Sequence, residues 1–337
     1  MSHRPAPCVP VVLASILLLG ACGRETAAGE GEADLGGFLR FEDSGGSERE
    51  AVSAAGAVEA AAPAAPNASP TDGGIAVGAP AASVPSEELE LEQRASAQLA
   101  SGSFAQAAAT LSKLMLGHVA GGRDDRTALA RWTALLAAAQ AEHRWNPKGT
   151  WPATDVSVQS GDSLIAIRKR ILEGRTGLLL CTGEIVRANR LASSTAIRPG
   201  ALLRVPLQTP SMRVDLSAMW AFYCFGDEVA AAWEVGVGRE GNATRPGTYT
   251  IGAKQENPMW TPAGREPVPF GDPQNPLGTR WLAWNLEGRG TALGFHGTND
   301  PTSVGQRISD GCIRMSNRDV EQLFEILPVG AQVLVEP

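Results

Sequence analysis

Histidine and cysteine are scarce in this chain: four of the first and five of the second among 337 residues. They never cluster at metal-ligand spacing, so no metal site is expected, and nothing calls for a cofactor. An excess of positive charge is also missing. Lys and Arg number 29 against 36 Asp and Glu, and a net charge of −7 argues against a nucleic-acid partner, which needs a basic patch. Beyond the first 22 residues no apolar run is long enough to cross a bilayer as a helix. The little histidine and cysteine present is unevenly placed. The last of each, His296 and Cys312, fall in one glycine-rich stretch, HGTNDPTSVGQRISDGCIRM.

The first 22 residues read as an export signal. Arg4 supplies a positive start, and VPVVLASILLLGA (Val9 to Ala21) is an apolar core too short to span a bilayer. It ends in Leu19-Gly20-Ala21-Cys22, which resembles the bacterial lipobox. That resemblance implies cleavage before Cys22, acylation of its thiol and a lipid-anchored protein facing the periplasm. Gly23 rather than Asp follows the cysteine, which by the same resemblance implies the outer membrane. With Cys8 removed and Cys22 lipidated, Cys181, Cys224 and Cys312 remain. An odd count in an oxidising compartment suggests one disulfide and one free thiol. Cys181 and Cys224 are the candidate pair if Cys312 is free, and two separately buried thiols are the other reading.

Length alone suggests about two domains at roughly 150 residues each, and composition divides the chain further. Residues 23–86 are rich in Ala, Gly, Glu, Ser and Pro, with AAAPAAPNASP (Ala60 to Pro70) the extreme case. Such a segment buries too little apolar surface to offset chain entropy and reads as a disordered tether. Residues 87–146 turn helical. Leu89, Leu99, Phe104, Leu111 and Leu114 recur at helical spacing around a Ser101-Gly102-Ser103 turn, and a further helix covers Thr127 to His143. This region resembles one tetratricopeptide-type hairpin and reads as a helical spacer or a docking site for a protein partner.

Residues 153–206 predict a strand, two helices and a closing strand. VSVQSGDSLIAIRKRI (Val156 to Ile171) starts a helix at polar caps, and Leu203 and Val205 mark the last strand. The order β-α-α-β, with its GDSL and I.PG..L.VP skeleton, resembles the LysM peptidoglycan-binding module. EGRTGLLLC (Glu173 to Cys181) is an insertion relative to that pattern. Residues 211–337 predict mostly strands: Met212 to Phe225, Val229 to Gly238, Arg245 to Ile251, Arg280 to Leu286 and a final AQVLVEP. One helix from Asn317 to Leu327 interrupts them, with Asn317 as its expected cap.

A thiol attacks only as thiolate, and an ordinary cysteine near pKa 8.5 is mostly protonated at neutral pH. Cys312 therefore wants a histidine, and His296 is the one its own domain offers. Gly311 permits close approach of a substrate backbone, and the amides around Gly311 and Cys312 are candidate oxyanion donors. No carboxylate directly follows His296, so the carbonyl of Gly297 is the expected orienting group. Arg314 either binds a substrate carboxylate or pairs with Asp310 or Asp319. Trp260 and Trp281 are cleft wall or packing.

The pattern HGTND…SVG…ISDGCIRM.N.DV, with VDLSA, VGVG, RPGTYTI and NPLGTRWL upstream, resembles the catalytic signature of the L,D-transpeptidases. It covers nearly all of Arg213 to Val335. The resemblance implies a mostly-β catalytic domain, β-sandwich-like with short helices, behind the βααβ module and helical spacer. It makes Cys312 the nucleophile and His296 its base, with Ser309 and Arg314 in supporting positions. Asp310 stands where the family often has His, and its charge is expected to raise the thiol pKa. The implied reaction removes the terminal D-Ala of a peptidoglycan tetrapeptide through a thioester and forms a 3→3 cross-link. A protein lysine or water as acceptor, and an inactive wall-binding anchor, are the alternatives.

Overall fold

Strand β4 (Trp220–Phe225) is buried along its whole length, and the fold follows from what covers its two faces. The computed structural model describes residues 86–262 and 264–337. The expected signal, Cys22 and almost all of the tether lie outside the described residues. Side chains alternate across a strand, so Trp220, Phe222 and Cys224 face one way while Ala221, Tyr223 and Phe225 face the other.

Three helices cover the first face: α1 (Ser86–Ala100), α2 (Phe104–Ala120) and α3 (Arg126–His143). Leu91, Leu111, Met115, Leu129, Trp132 and Leu136 bury against Trp220, Phe222 and Cys224, and against Val229 and Ala232 of β5 (Glu228–Glu234). Polar seams tie the layers together. Val229 N–H donates to Ser112 Oγ at 2.9 Å, and Gln140 Nε2 donates to the Val229 carbonyl at 2.8 Å. The expectation of a separate spacer is thus corrected: the apolar helix faces share one core with the sheet.

A β-α-α-β unit comes next: β1 (Ala153–Ser157), α4 (Leu164–Leu172), α5 (Thr182–Ala188) and β2 (Leu202–Pro206). Ser163 caps α4 by accepting from Ala166 N–H at 3.2 Å. The strands pair antiparallel from Ala153↔Pro206 to Ser157↔Leu202. Leu164, Ile167, Ile171, Ile185, Leu203 and Val205 form its own core, which the inserted segment joins through Leu180.

The remaining strands are β3 (Ser211–Asp215), β6 (Val237–Gly238), β7 (Gly247–Glu256), β8 (Arg280–Leu286), β9 (Arg289–His296), β10 (Arg307–Ser309), β11 (Ile313–Arg314) and β12 (Gln332–Glu336). Helix α6 (Asn317–Ile326) precedes β12. Eight strands make one sheet in the order β11-β9-β8-β7-β12-β3-β4-β5, and β10 pairs with β6 apart from it. The sandwich-like expectation is corrected accordingly: a single curled sheet, parallel at β12–β3 and β11–β9, carries the domain. The single strand expected over Met212 to Phe225 is two. Asp215 Oδ1 accepts from Ala218 N–H at 2.8 Å and turns the chain back on itself, with Met219 at φ +54°. Buried on both faces, β4 lacks the polar alternation that would have marked its start.

Of the two readings open for Cys181 and Cys224, the structure has separate thiols: both are free. Cys224 points into the helix-covered face of β4. Cys181 begins α5 beside Glu184, whose partner Tyr223 points to the opposite face. The sheet separates the two thiols. Burial pushes each up to about 12.

Candidate active site

Pairing register builds the site. Arg314 of β11 lies opposite His296 of β9, which lies opposite Trp281 of β8. Their neighbours Ile313, Phe295 and Leu282 enter the core, so Trp281, His296 and Arg314 form one row on the other face. Cys312, two residues before Arg314, shares that face and stands diagonal to His296. The 16-position spacing of the motif is therefore one excursion between two parallel neighbouring strands. Trp281 borders the histidine, with ring centroids 6.1 Å apart.

His296 is buried, and its Nδ1 lies 2.5 Å from the Gly297 carbonyl oxygen. A carbonyl only accepts, so Nδ1 carries the hydrogen and Nε2 the free lone pair. Burial lowers the imidazole pKa to about 4. The Gly297 carbonyl opposes that shift, and the Arg314 charge adds to it. Cys312 Sγ donates to the Ala292 carbonyl at 3.4 Å. Burial raises its pKa to about 11, the Gly294 amide counters, and the Asp310 charge pushes further up as expected. Both shifts favour the uncharged form, a thiol on Cys312 and a neutral imidazole on His296.

The turn that presents Cys312 is held by Ser309. Its hydroxyl donates to the Cys312 carbonyl at 2.6 Å and accepts from Gly311 N–H at 3.2 Å. Gly311 has φ +108°, a conformation that favours glycine. Its amide is thus engaged within the turn, which corrects its place among the oxyanion donors. Asp310 is tied away from the thiol by Arg239 Nη2 at 2.6 Å and Asn242 Nδ2 at 2.9 Å. A cavity of about 570 Å³ opens beside this turn, lined among others by Asn242, Arg245, Tyr249, Leu293, Asp310 and Gly311.

Arg314 pairs with neither acid considered for it. Asp310 is held as described, and Asp319 accepts from Ser316 Oγ at 2.7 Å. The Arg314 Nε is buried without a hydrogen-bond partner among the described residues. Burial lowers its pKa, partly offset by the charges of Asp300 and Asp310.

Asn317 departs from its expected role. Ser316 is the cap of α6, its hydroxyl accepting from Asp319 N–H at 3.1 Å. Asn317 Oδ1 instead accepts from Thr298 N–H and Thr279 N–H, each at 3.1 Å. Nothing local in the sequence announces this, because a polar residue ahead of an apolar helical face reads as a cap. Among the described residues no group of three His, Cys, Asp or Glu side chains could hold a metal. No described helix is long and apolar enough to cross a membrane.

Comparison with known proteins adds independent findings. Residues 210–335 match the family model of the YkuD L,D-transpeptidase catalytic domain. The chain is 38% identical over 110 residues to the putative L,D-transpeptidase YqjB of Bacillus subtilis, covering 32% of this chain and 61% of that relative. It is 30% identical over 181 residues to the putative L,D-transpeptidase YkuD of the same organism, covering 53% of this chain and 96% of the relative. Among solved structures, an L,D-transpeptidase from Stackebrandtia nassauensis aligns at a TM-score of 0.30 and 21% identity, over 39% of this chain and 57% of that one.

Proposed function

The chain belongs to the L,D-transpeptidase family, and from that premise we propose that it is a cysteine acyltransferase acting on peptidoglycan stem peptides. Sγ of Cys312 attacks the carbonyl between the third stem residue and the terminal D-Ala while its proton passes to His296 Nε2. The C–N bond breaks, D-Ala leaves with that proton on its amine, and a thioester remains. The side-chain amine of another stem attacks the thioester and loses its proton to His296. A 3→3 cross-link forms, and the proton returns to Sγ. The observation that carries this reading is the neutral His296, its Nδ1 bound to Gly297 and its Nε2 free, on the sheet face that holds Cys312.

The remaining site residues take roles from their contacts. Ser309 fixes the nucleophile turn that Gly311 permits, and the amide of Cys312 itself is the donor assigned to the oxyanion. Arg314, whose Nε has no hydrogen-bond partner among the described residues, is available to a substrate carboxylate. The β-α-α-β unit acts as a LysM-like glycan-binding module and raises the local concentration of stems. A lipid on Cys22 and the tether hold the enzyme in the periplasm at the outer membrane, within reach of the wall.

Incubation with disaccharide-tetrapeptide tests the reaction. Dimer with release of D-Ala supports cross-linking; tripeptide without dimer points to water as acceptor; transfer only to a lysine-bearing protein points to attachment. No product from folded protein that binds sacculi favours the wall anchor and overturns the proposal.

A further inference from the structure

The peptide unit between Gly297 and Thr298 is gripped on both sides. Its carbonyl accepts from His296 Nδ1 at 2.5 Å, and its N–H donates to Asn317 Oδ1 at 3.1 Å. The same Oδ1 takes Thr279 N–H at 3.1 Å, at the entrance to β8. One side chain from the first turn of α6 thus locks two backbone segments beside the catalytic histidine. The space it fills is reserved for it. A Cβ on either Gly297 or Gly278 would collide with Asn317 Oδ1, so the backbone closes around this amide only because both positions lack a side chain.

We infer that Asn317 is a positioning residue for the reaction, orienting His296 through the Gly297–Thr298 peptide. This rests on the reading of His296 as the base for Cys312. A peptide carbonyl becomes a stronger acceptor when its own N–H is hydrogen-bonded, because polarisation passes along the chain of bonds. Asn317 therefore strengthens the one contact that holds the Nδ1–H form and leaves Nε2 free on the sheet face that holds Cys312. It also prepares the site for the imidazolium that forms during attack. The charged and titratable groups around His296 are Arg314 and Cys312 on the β11 side, with Asp300 and Asp310 beyond Arg314. Its β8 partner Trp281 carries no charge, and Asp319 of α6 is bonded to Ser316. No carboxylate hydrogen-bonds His296 among the described residues. The peptide stands where a carboxylate would otherwise support the imidazolium, and Asn317 fixes that peptide.

The test is heteronuclear NMR of histidine-labelled full-length chain in detergent, beside the pH dependence of Cys312 acylation by disaccharide-tetrapeptide. H296Q assigns the signal. Wild type should show His296 as the Nδ1–H tautomer. N317D keeps the shape and both acceptor bonds and adds negative charge. It should retain that tautomer, titrate at higher pH by about one unit, and acylate within threefold of wild type. N317A should lose the single tautomer and acylate about a hundredfold more slowly, with its secondary structure intact. A wild-type tautomer and titration in both variants would overturn the proposal, as would an N317A loss no larger than its loss of folded protein. The tautomer needs no substrate. If wild type forms no acyl-enzyme, the proposed function fails while the NMR arm still decides the role of Asn317.

Discussion

His296 donates from Nδ1 to the carbonyl of Gly297, its immediate neighbour, across 2.5 Å. A bond between adjacent residues spends one ring nitrogen on the backbone and leaves the other for the substrate side. The consequence is a base that needs no acidic partner and remains neutral.

That neutrality sets the acid limit. The folded pKa of His296 lies at about 4, lowered by burial. Nε2 therefore stays able to accept the thiol proton until the pH falls through that value. Acylation of Cys312 should be flat from about pH 5 to 9 and drop below about 4.5. A thiolate–imidazolium pair would instead lose activity on the alkaline side, as the imidazolium gives up its proton. Acyl-enzyme formation rates across this range decide, with H296A losing the limb together with most of the rate.

Arg314 Nε has no hydrogen-bond partner among the described residues, so its replacement should leave stability nearly unchanged. R314Q is expected to melt within about 2 °C of wild type, while raising KM for tetrapeptide about tenfold or more through the lost carboxylate contact. A melting drop equal in scale to the kinetic loss would make Arg314 a packing residue.

The helices should prove inseparable from the sheet. Trp132 is fully buried in the core they share with Trp220 and Phe222, and Trp132→Ala should cost about 3–5 kcal/mol. A chain starting at residue 210 bares those side chains and should be insoluble. Denaturant melts of the variant and expression of the short chain test this. A soluble, active short chain would restore the independent spacer.

Glu184 should respond to pH in the opposite sense to His296. Tyr223 Oη lies 3.1 Å from Glu184 Oε1 and 3.0 Å from the Ile326 carbonyl. One phenolic hydrogen cannot serve two acceptors, so a protonated Glu184 donating to Tyr223 satisfies the chain. Burial raises the Glu184 pKa to about 8. Its folded-state pKa exceeds the unfolded one, so this contribution is full below about pH 4.5 and is lost as pH rises through about 8. E184Q, which keeps a permanent donor, should be more stable than wild type at pH 8 and nearly equal at pH 4. Thermal melts at the two values check it, and equal Tm differences at both would contradict it.

Long motifs and strong local patterns were legible in the sequence. The HGT and SDGC segments, the β-α-α-β order with its Ser163 cap, and the amphipathic α6 all carry their information within a few residues. What was hidden depends on partners distant in the chain. The apolar stripes of α2 and α3 show that something covers them, but not that β4 and β5 do. The β3–β4 turn hides because β4 is buried on both faces. The Cys181–Cys224 pair was arithmetic on a count, and the sheet lies between the two. Asn317 carries the same local signal as a cap, and only the approach of Gly278 and Gly297 gives it another task.

The most direct measurement is peptide mapping of full-length protein quenched during reaction with disaccharide-tetrapeptide. We predict a tripeptide acyl adduct on the fragment bearing Cys312, released by hydroxylamine and absent from Cys312→Ala. An adduct on Cys181 or Cys224, or turnover that survives Cys312→Ala, would contradict the account.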